Sequence, residues 1–211
     1  LGIARVTRDD NAIALIKLAA SMEYTSMGSI VIRSGDEMGY SSSQSSAINW
    51  NNLITYSDLH AYYCNLIQLR KTISKLTSDS TSSYSDFVFD TTSTDQIAYV
   101  INNDGNNQWN KIAVMHNNSD STKWMTLPDT STNKWVIVAN DESAGFETLK
   151  IVSYNSFSVP AHSSIIAVDA ESYCNTDVVS DMYNVIVKYV DEEGNEIKTA
   201  DVLRGRASYS Y

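Results

Sequence analysis

The hydrophobic period of this chain changes once, near residue 77, and that change sets what it can fold into. Before it, apolar residues recur at helical spacing; after it, they alternate or form short runs, as strands do. The two stretches therefore read as different units. Upstream, Asp9 or Asp10 caps a helix running through Met22. Ala12 to Ile16 and Leu18 to Ala20 are all apolar, with Lys17 as the polar break between them, so the helix is apolar almost all round. Such a helix is normally buried on several sides. Gly28 closes the segment, and Ile30-Val31-Ile32 reads as a buried parallel strand. A loop follows, from Gly35 to Gly39 and through the serines between Ser41 and Ser46. Ser57 or Asp58 starts a second helix, with Leu59, Tyr62, Tyr63, Leu66, Ile67 and Ile73 on its apolar stripe. Arg70, Lys71 and Lys75 in its last turns suit the helix dipole.

Downstream, strand-like runs recur at Phe87–Phe89, Ile97–Ile101, Ile112–Met115, Trp124–Leu127, Trp135–Ala139, Leu149–Val152, Phe157–Val159 and Ile165–Val168. Asn, Asp, Gly and Ser clusters such as Asn102 to Asn106 separate them. Short strands at this spacing predict an antiparallel β-sandwich. A polar linker spans 171–182, and from Tyr183 the alternation of Val185, Val187 and Tyr189 leads into a turn at Asp191 to Gly194. That pattern predicts a hairpin opening another β module.

A helix–strand–helix piece cannot close a sheet, so the simplest completion of the first region is a parallel α/β domain whose last unit lies here. Leu1 is not an initiator Met, and Ser208 to Tyr211 stop within an alternating pattern; the expectation is an internal piece of a longer protein. The fold class is thus α/β plus all-β. Its expected divisions are 1–76, the incomplete α/β part; 77–170, the sandwich; 171–182, the linker; and 183–211, the incomplete β module. The sandwich is expected to fold alone, and residues 1–76 to be the unstable part in isolation.

With 25 acidic against 15 basic residues the chain carries a formal charge of −10, which argues against nucleic acid or an anionic membrane as partner. Lys17 and Ser21 interrupt the best apolar run, Ala12 to Met22, well short of the roughly 20 residues of a membrane helix. Abundant uncharged Ser, Thr and Asn suit a secreted protein. Cys64 and Cys174 have no metal-ligand spacing, and a helix thiol plus a linker thiol is favoured over a disulfide. His60, His116 and His162 have no mutual spacing for a metal or triad, so core or surface positions are expected. Trp109, Trp124 and Trp135 are expected to pack in the core or at an edge rather than form a carbohydrate-binding stripe.

Several motifs in order carry a resemblance. They are Lys17-Leu18-Ala19, Tyr24 to Gly28, the GDEM turn at Gly35 to Met38, and Ala47-Ile48-Asn49-Trp50. The most specific is YYCNLIQLRK, Tyr62 to Lys71; Ile97-Ala98-Tyr99, Trp135, AGFETLK at Ala144 to Lys150 and SVPAHSSII at Ser158 to Ile166 follow. Together they resemble the C-terminal part of type I pullulanases, debranching enzymes of glycoside hydrolase family 13. Ile30 and Arg33 stand where the family has Pro and His, a Ser-rich stretch replaces its next loop, and Asn65 takes a helical Gly position. The resemblance implies the end of a (β/α)8 barrel, then a C-terminal β-sandwich. Its implied activity is hydrolysis of α-1,6-glucosidic bonds in pullulan or starch, with retention, and its implied partner is an α-glucan. VIVKYVDEEGNEI, Val185 to Ile197, with Gly205 and Tyr209, is similar to the start of a mucin-binding-protein-type repeat. That second resemblance implies a mucin or glycan ligand and an extracellular or bacterial cell-surface location.

A retaining glycosidase needs two carboxylates about 5–5.5 Å apart. The resemblance implies that they come from the fourth and fifth barrel strands, whose motifs do not occur here, so no catalytic residue is expected in this chain. Asp36 and Glu37 are adjacent and point apart in an extended turn, which suits turn and capping acids better than a catalytic pair. The same turn would lie at the C-terminal end of the last barrel strand, the face where such barrels hold their sites. Arg33, Asp36, Glu37, Tyr40, Asn49 and Trp50 are therefore the candidate substrate-rim residues. Glu37 is expected to pair with a base from outside the chain, Arg33 with an acid such as Asp36, and Tyr40 and Trp50 to stack on sugar or pack in the loop. No metal or other cofactor is expected; calcium in a parent protein stays open, with no site readable here, since the Asp191 to Glu193 run lacks ligands enough.

Overall fold

A computed structural model describes residues 10–40, 47–77, 86–90, 93–103, 108–129, 131–132, 134–175 and 182–206. Asp9, the alternative cap of the first helix, and Tyr209 of the tail motif lie outside the described residues. The first helix, α1, spans Asp10–Tyr24; α2 is Asn52–Thr55, α3 Ser57–Thr72 and α4 Ser74–Thr77. Eight strands follow: β1 Phe87–Asp90, β2 Gln96–Asn102, β3 Lys111–Asn117, β4 Lys123–Thr126, β5 Trp135–Ala139, β6 Lys150–Val152, β7 Ser156–Val159 and β8 Ser163–Asp169. Each coincides with a run read from the sequence.

Six of them form one sheet in the order β1-β2-β3-β8-β5-β6, antiparallel throughout. The other two, β4 and β7, pair antiparallel as a separate ribbon. Alternation sends successive side chains to opposite faces of the sheet. On one face Ala98, Val100, Ala113, Met115, Ile165 and Ala167 meet Met125, Leu127, Phe157 and Val159 from and beside the ribbon. On the other, Tyr99, Ile101, Ile112, Val114, Ile166 and Val168 share a core with Tyr24, Leu59, Tyr62, Leu66, Leu69 and Leu76. Every residue of β8 is buried, which is why its sequence reads as a continuous apolar run rather than an alternation.

The second layer of the sandwich is thus a two-stranded ribbon, and α1 and α3 cover the opposite face of the main sheet. The core crosses the change of period at residue 77 instead of stopping there. Lys17, the polar break in α1, is buried: its Nζ donates to the carbonyl oxygens of Asp141 (3.2 Å) and Glu142 (3.0 Å) after β5. It also lies 5.2 Å from the centre of the Tyr62 ring.

Ile30-Val31-Ile32 is not a strand. Those residues make no ladder with any described strand, and Val31 is 85% exposed. A parallel strand needs a hydrogen-bonding neighbour, and the sheet built here is antiparallel and lies beyond the helices.

The tail forms the expected hairpin, β9 Met182–Val190 with β10 Glu196–Arg206. Gly194 takes φ 88° in its turn, and Asp191 accepts the backbone N–H groups of Glu193 (3.1 Å) and Asn195 (2.7 Å). The hairpin rests against the sandwich through two backbone groups: the Thr148 N–H donates to the Arg204 carbonyl at 3.0 Å, and the Arg204 N–H to Thr148 Oγ1 at 2.9 Å. Lys134 pairs with the buried carboxylate of Asp201, which also accepts from Lys198 Nζ (3.1 Å) and the Tyr189 hydroxyl (2.8 Å). These donors, Lys134 foremost, hold the Asp201 carboxyl down at about 2 despite its burial.

Candidate functional site

Four of the six candidate rim residues lie on or beside one turn. Asp36–Met38 make a single turn of 3-10 helix between two left-handed glycines, Gly35 at φ 98° and Gly39 at φ 62°. A side chain at Gly35 would bring its Cβ within 2.8 Å of the Tyr40 Cβ, so glycine is needed there for space as well as conformation. Glu37 folds back on the turn, its Oε2 accepting the Gly35 N–H at 2.9 Å. The Arg33 guanidinium lies 5.1 Å from the centre of the Tyr40 ring, within cation–π range. Met38 is buried against the helices, and the Asn52 amide donates to its carbonyl at 3.2 Å. That bond ties the turn to the segment carrying Asn49 and Trp50. Asn49 Oδ1 accepts the Asn51 N–H at 3.2 Å, and Trp50 stands 67% exposed. Residues 41–46, the Ser-rich stretch, lie outside the described residues.

The turn sits among acids. Partial burial, then the charge of Asp36, raises the Glu23 carboxyl above its usual range. Burial also pushes the Tyr63 hydroxyl up, with Asp36 the next contributor. The turn thus carries one guanidinium over a ring and two carboxylates on consecutive residues, not a pair of opposed carboxylates.

Sequence reasoning missed what lies behind the turn. Arg70, assigned there to the helix dipole, is buried and donates to four backbone carbonyls: Tyr24 (2.9 Å), Ser26 (2.6 Å), Gly28 and Leu76 (2.8 Å). It fastens the chain leaving α1 to the end of α3. The signal was its spacing: Arg70 falls four residues after Leu66, on the stripe that packs inward.

A second polar group is enclosed near the end of α1. The Thr25 hydroxyl donates to the Ser21 carbonyl (2.6 Å), and the Tyr99 hydroxyl donates to Thr25 Oγ1 (2.7 Å). His116 Nε2 stands 3.3 Å from the Tyr99 oxygen, and Nδ1 stands 2.7 Å from Ser164 Oγ. With both hydroxyl hydrogens committed, the consistent assignment puts the proton on Nε2 and lets Ser164 donate to Nδ1. Burial lowers the His116 pKa to about 3. A serine and histidine in contact suggest nucleophilic catalysis. Ser164 is buried within β8, however, beyond reach of a substrate, and the group reads as a structural network. It floors an apolar cavity of about 330 Å³ walled by Met22, Met27, Phe87, Phe89 and Ile97.

Among the described residues no group of three His, Cys, Asp or Glu side chains is placed to hold a metal. Cys64 and Cys174 are both free. Trp109 and Trp135 are fully buried, with Trp109 Nε1 donating to the Tyr173 carbonyl (3.0 Å) and Trp135 Nε1 to Asn155 Oδ1 (2.8 Å). Trp124 departs from the expectation of burial and is 69% exposed. No described helix is long and apolar enough to cross a membrane.

Comparison with known proteins adds to this geometry. The family described as pullulanase, all-beta domain, matches residues 86–143. No curated protein sequence matches the chain. Among solved structures, a pullulanase from Bacillus acidopullulyticus superposes with a TM-score of 0.65 at 23% identity, over 78% of this chain and 21% of that one. The type I pullulanase of Bacillus subtilis str. 168, solved with maltose, gives 0.62 at 19% identity, over 77% of this chain and 24% of that one. An Anoxybacillus α-amylase gives 0.57 at 14% identity, over 75% and 32%. The chain therefore spans about a quarter or less of the two pullulanases. At these identities the structural likeness is one of fold. Its β-rich part has the architecture of pullulanase and amylase C-terminal β domains, and residues 86–143 are similar in sequence to the pullulanase all-beta domain.

Proposed function

We propose that this chain is the C-terminal part of a pullulanase-like glycoside hydrolase that cleaves α-1,6-glucosidic bonds in pullulan or starch with retention. The observation that carries this reading is the match of residues 86–143 to the pullulanase all-beta domain. The ordered motifs from Lys17 to Ile166 support it, and so does the likeness of fold to two pullulanases. In this reading α1, the turn at Asp36–Met38 and α3 are the last elements of a (β/α)8 barrel. Arg33, Asp36, Glu37, Tyr40, Asn49 and Trp50 then line the rim of its cleft. The carboxylate pair belongs to upstream strands, so this chain alone does not turn over substrate. The proposed domain limits are those read from the sequence, save that the linker begins after Tyr173, which is buried in the core; the hairpin from Tyr183 then opens a mucin-binding-type module on an extracellular or cell-surface protein.

The test has two parts. The coding sequence upstream of Leu1 should encode barrel strands with catalytic Asp and Glu motifs; their absence removes the enzyme. Product analysis of the full-length protein on pullulan and on amylose then separates debranching from amylase action. Cleavage of amylose alone would move the reading to the α-amylases, whose fold is also matched.

A second reading is a non-catalytic carbohydrate-binding surface protein. The exposed rings of Trp50 and Trp124 favour it, because neither is used by the core. Retention on insoluble starch or mucin without any upstream catalytic motif would support it.

A further inference from the structure

The ribbon of β4 and β7 covers the sheet with one face and turns the other to solvent. Met125 and Phe157 point inward, to the core. By the strand period Trp124 and Thr126 then point outward, directly opposite Ser158 and Ser156 in the register. The outer face is thus one indole among three small hydroxyl residues. Tryptophan is on average among the more buried side chains, yet this one is 69% exposed.

Beside the indole lies a cleft of about 220 Å³, lined by Asp90, Ser93, Gln96, Trp124 and Thr126 together with Ala98 and Met125. Its polar side chains are therefore a carboxylate, an amide and hydroxyls. Asp95 already takes the Ser93 hydroxyl (2.6 Å) and one Gln96 amide hydrogen (3.3 Å). Beyond these two bonds, the Ser93 and Gln96 side chains each have an oxygen that can accept, and Gln96 has a second amide hydrogen.

We propose that Trp124 and this cleft form a binding subsite for a neutral oligosaccharide. A pyranose ring has a flat C–H face, which suits the indole, and hydroxyls on its perimeter, which suit the carboxylate, amide and hydroxyls of the cleft. A wholly apolar ligand would displace water from those polar groups and offer them no hydrogen bond in return. An anionic ligand would meet Asp90 and a chain of formal charge −10. The subsite lies on the sandwich, on elements separate from those carrying the rim turn. It rests on the pullulanase-like reading only for the choice of an α-glucan as the first probe.

The test is a titration of the full chain, labelled with nitrogen-15, with maltoheptaose and separately with cellohexaose. The expected result is a saturable shift of the Trp124 indole N–H, with Trp109 unmoved and binding about tenfold or more weaker in Trp124→Ala. Because Trp124 is exposed, the variant should keep the parent thermal transition; Trp124→Phe, which preserves a flat ring, should retain part of the affinity. A shift with cellohexaose alone would uphold the subsite while counting against an α-glucan enzyme. A shift with neither sugar, or binding unchanged in Trp124→Ala, overturns the proposal whatever the parent proves to do.

Discussion

The ammonium of Lys17 donates to the carbonyl oxygen of Glu142 at 3.0 Å, across 125 residues of sequence. A charged side chain within the apolar stretch from Ala12 to Ala20 thereby becomes the pin between that helix and the loop after β5. Replacing it by Met keeps the stem's volume and strands the two carbonyls it serves. Lys17→Met should lower unfolding stability by about 1–3 kcal/mol, read from urea denaturation. A variant as stable as the parent would show that water satisfies those carbonyls equally well.

Cutting the helices away should matter more. Residues 86–175 alone would expose Tyr99, Ile101, Ile112, Val114, Ile166 and Val168 on the face that α1 and α3 cover. That fragment should bind an apolar dye and melt without a sharp transition, whereas residues 10–175 should melt cooperatively. A cooperative transition in the shorter fragment would restore the sequence-based expectation of an independent sandwich.

How much of this was legible beforehand follows from how local the causes are. The eight strands could be read because alternation and turn residues act within a few positions, as at Ile112–Met115 or Trp135–Ala139. The two long helices were equally readable. The layer that covers the inner sheet face was not, because it depends on contacts such as Tyr62 with Asn140, whose carbonyl accepts the Tyr62 hydroxyl at 3.1 Å. Ile30-Val31-Ile32 misled for the same reason: its residues suit a strand, but a strand also needs a neighbour. At the candidate rim, GDEM was recognisable as a turn, but the bond that Glu37 accepts from its own turn's Gly35 N–H was not foreseen. The exposure of Trp124 was half legible: it alternates with Met125 and Leu127, but which of the two faces meets the core depends on partners such as Phe157, far along the chain.

Acid should reveal His116. Its folded pKa of about 3 lies below the ordinary value of 6.5, so the unfolded chain binds the proton more readily between the two. The stability it contributes is complete above pH 6.5 and declines as pH falls from there towards 3. The total is on the order of a few kcal/mol. Unfolding measured at about pH 7, 5 and 4 should show this slope, and His116→Gln should flatten it. Nitrogen-15 spectra should show the ring neutral, with the proton on Nε2, at about pH 5.

The hairpin should respond over a lower window. Asp201 has its pKa depressed to about 2, so its contribution persists down to about pH 4 and is lost as pH falls through 2. At neutral pH, Asp201→Asn should mimic that loss. Amide exchange in β9 and β10 should quicken by about tenfold or more, while β3 and β8 stay protected. Equal exchange before and after the change would mean that the backbone contacts of Thr148 with Arg204 hold the hairpin by themselves.

Arg70 reaches only main-chain oxygens in this set of four, and this divides the sequence into residues that can drift and one that cannot. Substitution at Ser26 or Leu76 changes a side chain but leaves in place the carbonyl that Arg70 uses. No other side chain carries five N–H groups in a planar fork, so even Arg70→Lys would abandon part of the set. In a library of variants, position 70 should stand out as intolerant beside partners whose side chains can vary within the limits of their own packing. Alignment methods that search for paired changes would find no partner for it, although it holds four.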